Sequence, residues 1–325
     1  MTLLTVPVID LTPYRDGTDK MAVATRVDRA CRDIGFLVIR GHGVPADLIE
    51  QTRATGRAFF DLPFTDKQRV ARPGPGIARG YIGMEEESVG RSRDPSAIAG
   101  DLNESLMIGP VDLPESAYAQ AGFPHFARNL WPAEPDSLRP VWSDYYRAMG
   151  ALAETLMRVF ALALGHDEHF FDPLVDRHIS RLRVRNYPAP SKPPLPGQIR
   201  AGAHSDYGSL TILCTEDRAG GLQVCNADGV WVDVPILPDT FIVNIGDLLA
   251  RWTNDAWVST LHRVVNPPAS AGAASRRQSL VFFHNPNYDA PVENLMEGPA
   301  KYPPTTSGAH LAKLFSATQN TTTAA

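Results

Sequence analysis

The sequence predicts a mainly β protein with flanking helices, a barrel or jelly roll of short strands with helices packed outside it. Three observations carry that expectation. After Ile179, apolar and polar residues alternate with period two in short runs separated by turn residues, the pattern of an all-β core. Before that point, long runs repeat at helical spacing instead. The 28 prolines among 325 residues exceed average usage, which argues for many loops and against an all-helical chain.

The elements follow in order. Val6 to Leu11 reads as a short strand. Lys20 to Ile34 reads as an amphipathic helix, with Val23, Val27, Ala30, Cys31 and Ile34 on one face and Gly35 as its stop. Phe36 to Ile39 is a buried strand, Gly41 to Pro45 a turn, and Ala46 to Phe60 a second helix, which makes a βαβ-like opening. From Arg72 to Gly109 periodicity fails, so an irregular and functional or mobile loop is expected. Ser137 to Gly165 is the longest helical pattern. Its stripe of Val141, Tyr145, Met149, Leu152, Leu156, Val159 and Phe160 marks a scaffold helix packed on a sheet. Strands are then predicted over Ser180–Asn186, Ala203–Leu213, Leu222–Cys225, Val230–Val234, Thr240–Ile245, Leu261–Val265 and Ser279–Phe283. Asn226-Ala227-Asp228-Gly229 is a hairpin signal between two of them. Ser307 to Thr318 reads as a terminal helix, and the Thr-rich tail from Thr321 as disordered. The expected organisation is an N-terminal region over 1–120, a scaffold-helix region over 121–178, a barrel core over 179–290 and a C-terminal helix and tail over 291–325.

Composition bounds the function. A hydrophobic fraction of 43% and a charged fraction of 21% are ordinary for a soluble globular chain. A net charge of -5 gives no support for nucleic-acid or acidic-membrane binding, which would favour a basic face. Cys31, Cys214 and Cys225 are odd in number and form no CxxC, so a reducing cytoplasm is expected rather than a disulfide framework. Met1 to Asp10 has no basic region and too short an apolar run for a signal peptide. No stretch approaches the roughly 20 apolar residues of a membrane span. The expected partner is a small molecule, and the chain a monomer or weak homo-oligomer.

The chemistry is concentrated in one stretch. His204-Ser205-Asp206 with the distant His262 is the ligand set of a 2-His-1-carboxylate facial triad, which leaves positions open on Fe(II) for oxygen chemistry. Residues i and i+2 share a strand face, so His204 and Asp206 point the same way if their strand is extended. Singly, each histidine is more simply a turn cap or a satisfied core residue; the set together favours a metal. Zinc also accepts His/His/Asp, but no general base such as the Glu of a HExxH helix is present. Downstream, Arg277-Gln278-Ser279 opens a strand with i, i+2 spacing. Arg277 can take a carboxylate bidentately and Ser279 can donate a further hydrogen bond, so the pair is a candidate holder of an anionic co-substrate.

These motifs resemble the iron(II)/2-oxoglutarate-dependent dioxygenases, specifically the isopenicillin N synthase-like branch. Flanking features agree: Arg185-Asn186-Tyr187-Pro188 resembles that branch's Asn-x-Tyr-Pro stretch before the His-x-Asp strand, Gly220-Gly221-Leu222-Gln223-Val224 its Gly-Leu-Gln-Val hairpin, Asn244-Ile245-Gly246-Asp247 its Asn-x-Gly-Asp turn, and Ile34-Gly35-Phe36-Leu37 with Gly41-His42-Gly43 its N-terminal region. The resemblance runs from Val6 to about Phe315. It implies a double-stranded β-helix, a jelly-roll barrel. It implies Fe(II) on His204, Asp206 and His262, and 2-oxoglutarate chelating the iron while its far carboxylate meets Arg277, Ser279 and Tyr187. Reaction with O2 would give succinate, CO2 and an oxidant that takes hydrogen from the substrate. Arg185 departs from the Asn that many relatives carry there. Relatives that act on β-lactam acids are similar in this strand and in the Arg79-Gly80-Tyr81-Ile82-Gly83 loop. Arg79 and Arg183 or Arg185 are therefore expected to contact a carboxylate on the main substrate, with Phe283 among the walls of the mouth.

Hydroxylation of a small molecule of specialised metabolism, such as antibiotic biosynthesis, is the leading expectation. The retained Asp206 disfavours halogenation, because related halogenases replace that carboxylate. One alternative is an oxidase that uses no 2-oxoglutarate, as isopenicillin N synthase does. Another is a non-catalytic ligand-binding protein, which should have lost some of these residues.

Overall fold

The computed structural model describes residues 6–74, 76–92, 99–112 and 117–319. Strand β1 (Val8–Asp10) and strand β2 (Phe36–Arg40) pair in parallel, with the helix Lys20–Asp33 crossing between them, as the opening pattern predicts. The helix Ala46–Phe60 follows with the expected bounds. Two further strands, β3 (Gly80–Ile82) and β4 (Glu104–Ile108), lie inside the stretch expected to be irregular, which corrects that expectation. Every residue of both is buried, so neither shows the alternation that would have marked it. Residues 75 and 93–98 of that stretch, and the tail from Thr321, lie outside the described residues.

The barrel strands are β5 (Arg181–Tyr187), β6 (Ala201–His204), β7 (Leu210–Thr215), β8 (Leu222–Cys225), β9 (Trp231–Asp233), β10 (Phe241–Ile245), β11 (His262–Val264) and β12 (Arg277–His284). They form two sheets. The larger has the order β1-β2-β10-β7-β12-β5-β4-β3 and the smaller β6-β11-β8-β9. This is the jelly-roll architecture, with helices packed on the outside of the larger sheet.

One expected strand is broken. The run Ala203–Leu213 is split into β6 and β7, which belong to different sheets. The chain crosses over at residues 205–209. There Asp247 N donates to the Asp206 carbonyl at 2.7 Å and Gly246 N to the Ser209 carbonyl at 2.9 Å. A Cβ on Gly246 would lie 2.2 Å from the Gly208 carbonyl oxygen, so only glycine permits this approach of two backbones.

Alternation in the larger sheet sorts its two faces. Leu182 and Val184 of β5, Leu280 and Phe282 of β12, Leu210 and Ile212 of β7, and Phe241 and Val243 of β10 join the outer core. The long helix Leu138–Ala163 covers that face with Trp142, Tyr145, Met149, Leu152, Leu156 and Phe160, and packs in turn against the helices Lys20–Asp33 and Ala46–Phe60. The opposite face turns to the space between the sheets, where Phe36, Val38, Ala201, Leu222, Val224 and Val264 form a second, smaller core. Among the described residues no helix is long and apolar enough to cross a membrane.

Gly35 ties the opening unit to the barrel. It has φ +64°, closes the first long helix, and its carbonyl accepts from Ile245 N at 2.9 Å. A Cβ there would lie 1.9 Å from the Val258 carbonyl oxygen. Gly35→Ala is therefore expected to destabilise the fold by at least about 1–3 kcal/mol. Urea unfolding checks this as a lower midpoint with an unchanged slope.

Candidate active site

His204 is the last residue of β6 and His262 the first of β11, and the two are register partners. Asp206 is not on the strand with His204, contrary to the expectation from alternation; it sits in the crossover to β7. The three still converge. Asp206 Oδ1 lies 3.8 Å from His204 Nε2 and 3.8 Å from His262 Nε2, and the ligand atoms all fall within 4.8 Å of one another.

The outer atoms of the three residues are already taken. His204 Nδ1 is 2.7 Å from the Gly202 carbonyl and His262 Nδ1 is 3.1 Å from the Thr260 carbonyl, contacts that put the ring proton on Nδ1 and leave Nε2 as a lone pair. Asp206 Oδ2 accepts from Thr211 Oγ1 at 2.6 Å and Asn244 Nδ2 at 2.8 Å, which turns Oδ1 inward. Burial pushes the His204 imidazole down to about 3, with His262 adding to the effect, so the ring is neutral. For Asp206 burial acts upward, but the two imidazoles, Thr211 and Asn244 outweigh it and hold the carboxyl below its usual range. Two imidazoles and one carboxylate with inward lone pairs fit a divalent iron.

Tyr187, Arg277 and Ser279 line the same cavity between the sheets. Register explains why: Arg277 pairs with Tyr187, and Ser279 pairs with both Arg185 and Thr215. Arg277 is 1% exposed. Its Nε donates to Thr215 Oγ1 at 2.8 Å and its NH1 to the Gly220 carbonyl at 3.0 Å, and its guanidinium lies 5.5 Å from the Tyr187 ring. Among the described residues no carboxylate is in ion-pair contact with it. Glu216 acts on it from a distance and is itself engaged by Arg57 and the Gln278 N–H.

The arginines expected at the substrate end divide. Arg185 lines the cavity beside the triad and donates to Asn103 Oδ1 at 3.0 Å, a neutral partner. Arg183 faces the same side but is paired with Glu87 at 2.6 Å and bonded to Ser105. Neither is the solvent-facing strand arginine that a surface role would require, since both are 6% exposed. Glu87 also takes Arg72 at 2.9 Å; burial pushes its carboxyl up, but Arg183 and Arg72 hold it down at about 2. Phe283 is on the cavity wall as expected. Arg79 is not: its three guanidinium nitrogens donate to the carbonyls of Ala78, His125 and Ala127, which takes it out of the site. Its role there is to tie the loop around Ala127 to the chain before β3.

Comparison with known proteins gives the family. Residues 6–134 match the family described as "non-haem dioxygenase in morphine synthesis N-terminal", and residues 178–286 match the 2OG-Fe(II) oxygenase superfamily. The chain is 32% identical to the validamycin A dioxygenase of Streptomyces hygroscopicus, over 88% of this chain and 78% of that one. It is 31% identical to a homoarginine-6-hydroxylase of Glycine max, over 89% and 88%. The chain belongs to the 2OG-Fe(II) oxygenase superfamily. It is a 2-oxoglutarate-dependent Fe(II) dioxygenase, with O2 as the other co-substrate. Among solved structures, a Neurospora crassa protein in complex with alpha-KG and thymine is similar with a TM-score of 0.83 and 34% identity, over 96% of this chain and 97% of that one.

Sequence reasoning missed several residues of this oxygenase's site. Thr211 and Asn244 orient Asp206, and Thr215 holds Arg277. Alternation could have found Thr211, Leu213 and Thr215, had β7 been separated from β6. Gln278 reads in the sequence as no more than the spacer between Arg277 and Ser279. It points the other way, into the helix Ala46–Phe60, where its amide oriented to satisfy both groups donates to the Arg53 carbonyl at 3.1 Å and accepts from Arg57 N at 2.9 Å. It thereby bridges two backbone groups that a helix would pair with each other, and pins the strand that carries Arg277.

Asn244→Ala removes one of two donors that aim Asp206. Fe(II) affinity is expected to fall about 10–100-fold, with the fold retained. Equilibrium metal titration with a competing chelator checks this.

Proposed function

We propose that His204, Asp206 and His262 hold Fe(II), that Arg277, Ser279 and Tyr187 hold the far carboxylate of 2-oxoglutarate, and that the enzyme hydroxylates a small carboxylate-bearing molecule of specialised metabolism. The observation that supports this most is the placement of charge. Two buried guanidiniums, Arg277 and Arg185, line one cavity with the triad, and among the described residues neither has a carboxylate in contact. Neutral partners offset only part of the cost of burying a cation, so each of these two guanidiniums would be stabilised further by an anion in the cavity. For Arg277 that anion is the co-substrate's; for Arg185 it is the substrate's.

Bound Fe(II) supplies the oxygen chemistry, in which 2-oxoglutarate and O2 are converted to succinate, CO2 and an oxidant able to take hydrogen from a C–H bond. The residues of this chain do the positioning. Arg277 and Ser279 fix the distal end of 2-oxoglutarate by charge-assisted hydrogen bonds, so its 2-oxo acid end is presented to the metal ligands. Arg185 anchors the substrate carboxylate close to His204, which fixes the C–H bond that faces the metal. Val281, Phe283, Leu213 and Val264 give the remaining wall an apolar surface that excludes water from the reactive centre. Named relatives act on molecules as unlike as validamycin A and homoarginine, so substrate identity follows from this wall and not from likeness.

A screen of small acids for succinate release, followed by mass analysis for the gain of one oxygen atom, tests the proposal. Turnover without stoichiometric succinate would instead favour an oxidase that needs no 2-oxoglutarate. Arg185→Gln is expected to raise the Michaelis constant for the substrate so found about 10–100-fold, while the constant for 2-oxoglutarate stays unchanged. Equal kinetics for variant and parent would remove Arg185 from the substrate site.

A further inference from the structure

A second buried guanidinium stands behind Arg277. Arg200 leads into β6, is 1% exposed, and does not line the cavity. Its NH1 donates to the carbonyls of Ala219 at 3.0 Å and Gly220 at 3.3 Å, and its NH2 to those of Ser275 at 2.6 Å and Pro188 at 3.5 Å. Arg277 NH1 donates to the same Gly220 carbonyl. The Arg200 guanidinium lies 5.7 Å from the Tyr187 ring, to which Arg277 also lies close. The two cations therefore meet on one carbonyl and one phenol ring. Gly220 makes this possible: it has φ +80°, and a Cβ there would lie 2.9 Å from Arg200 NH1 and 2.6 Å from Pro267 N.

Among the described residues Arg200 has no carboxylate in contact, and its partners are neutral carbonyls. Burial lowers its affinity for the proton, and Arg277 lowers it further. Two like charges this close, both out of water, repel each other and share a demand for one anion. Arg79 is likewise buried on carbonyls; Arg200 differs in sharing its carbonyl and its phenol ring with a second guanidinium that faces the cavity. A charge at this place has a use if an anion sits on the cavity side of Arg277.

We infer that Arg200 is a positioning residue for the co-substrate: it fixes the Gly220 carbonyl and the Tyr187 ring around Arg277 and adds a second positive charge behind the far carboxylate, so that the site selects 2-oxo diacids over 2-oxo monoacids. This rests on the reading that Arg277 receives that carboxylate. Arg200 does not touch the co-substrate; it acts through Arg277, Tyr187 and its own field.

The test is an anaerobic titration of Fe(II)-loaded protein, read by the metal-to-ligand charge-transfer absorption. The ligands are 2-oxoglutarate and 2-oxopentanoate, which replaces the distal carboxylate by a methyl group. Arg200→Gln is expected to weaken 2-oxoglutarate about 10-fold or more while 2-oxopentanoate binds as well as before or better. Arg200→Lys keeps the charge and is expected to recover part of the loss. It also serves as the decisive variant if Arg200→Gln does not fold, because a change in the diacid-to-monoacid ratio is expected there too. Equal weakening of both ligands, or no weakening of either, would overturn the inference. Arg277→Gln is the control. If it discriminates the two ligands and the Arg200 variants do not, only this inference fails. If Arg277→Gln also fails to discriminate, the assignment of Arg277 falls with it.

Discussion

The pleat of the larger sheet is the constraint on which the rest depends. Along β5, β12 and β7 each residue faces either the helix layer or the cavity, never both. Leu182, Val184, Leu280, Phe282 and Ile212 bury themselves under the long helix, and full burial of such a side chain contributes about 1.5–3 kcal/mol. A slip of one residue would put Arg183 and Arg185 into that apolar layer and Val184 into the cavity. The register that aligns Arg277 with Tyr187 and Ser279 with Arg185 is thus enforced by apolar contacts on the opposite side of the sheet. Site geometry and core packing are two faces of the same strands.

The polar face is where the fold carries its electrostatic cost. Arg183 is compensated by Glu87, which reaches it from a segment nearly a hundred residues earlier. Arg185 has Asn103, Arg277 has Thr215 and the Gly220 carbonyl, and Arg200 has four carbonyls. Dipoles offset part of the loss of hydration but not the whole of a buried charge. An anion reaching Arg185 or Arg277 in the cavity would therefore relieve part of that cost. At a ligand concentration of about 100 Kd, binding to the native state alone adds about 2.7 kcal/mol of stability.

What could be read in the sequence follows the same division. The helix Ala46–Phe60 is legible to the residue because its apolar spacing is regular and Pro45 precedes it. β8 is legible because the Asn226–Gly229 turn marks its end. The metal set and the Arg-x-Ser pair are legible as residue types with spacing. Three things are not. The break between β6 and β7 comes from the Gly208–Gly246 backbone approach, a tertiary contact that leaves the local alternation intact. β3 and β4 are buried on both faces and show no period. Arg79 and Arg185 are equivalent as sequence, yet one faces the carbonyls of His125 and Ala127 and the other the cavity. Arg185 is turned inward by the pleat of β5, whereas Arg79, just before β3, is drawn away by the carbonyls of a loop distant in the chain.

Asp206 shows how the two sheets are joined. His204 and His262 are paired within the smaller sheet, so their spacing is set by one ladder. Asp206 lies in the crossover, and no ladder fixes it. Its carboxylate is aimed instead by Thr211 on β7 and Asn244 on β10, both in the larger sheet and themselves register partners. The three inward atoms therefore come from both halves of the sandwich, and the distance between them depends on how closely the sheets pack. Small apolar contacts between the sheets, such as Ala201, Leu222 and Val264 against Val38 and Ile242, set that distance. A metal held by all three ligands would bridge the sheets at the mouth of the barrel. The same ion that provides the chemistry would then also stabilise the closed spacing in which Arg185 and Arg277 face a common cavity.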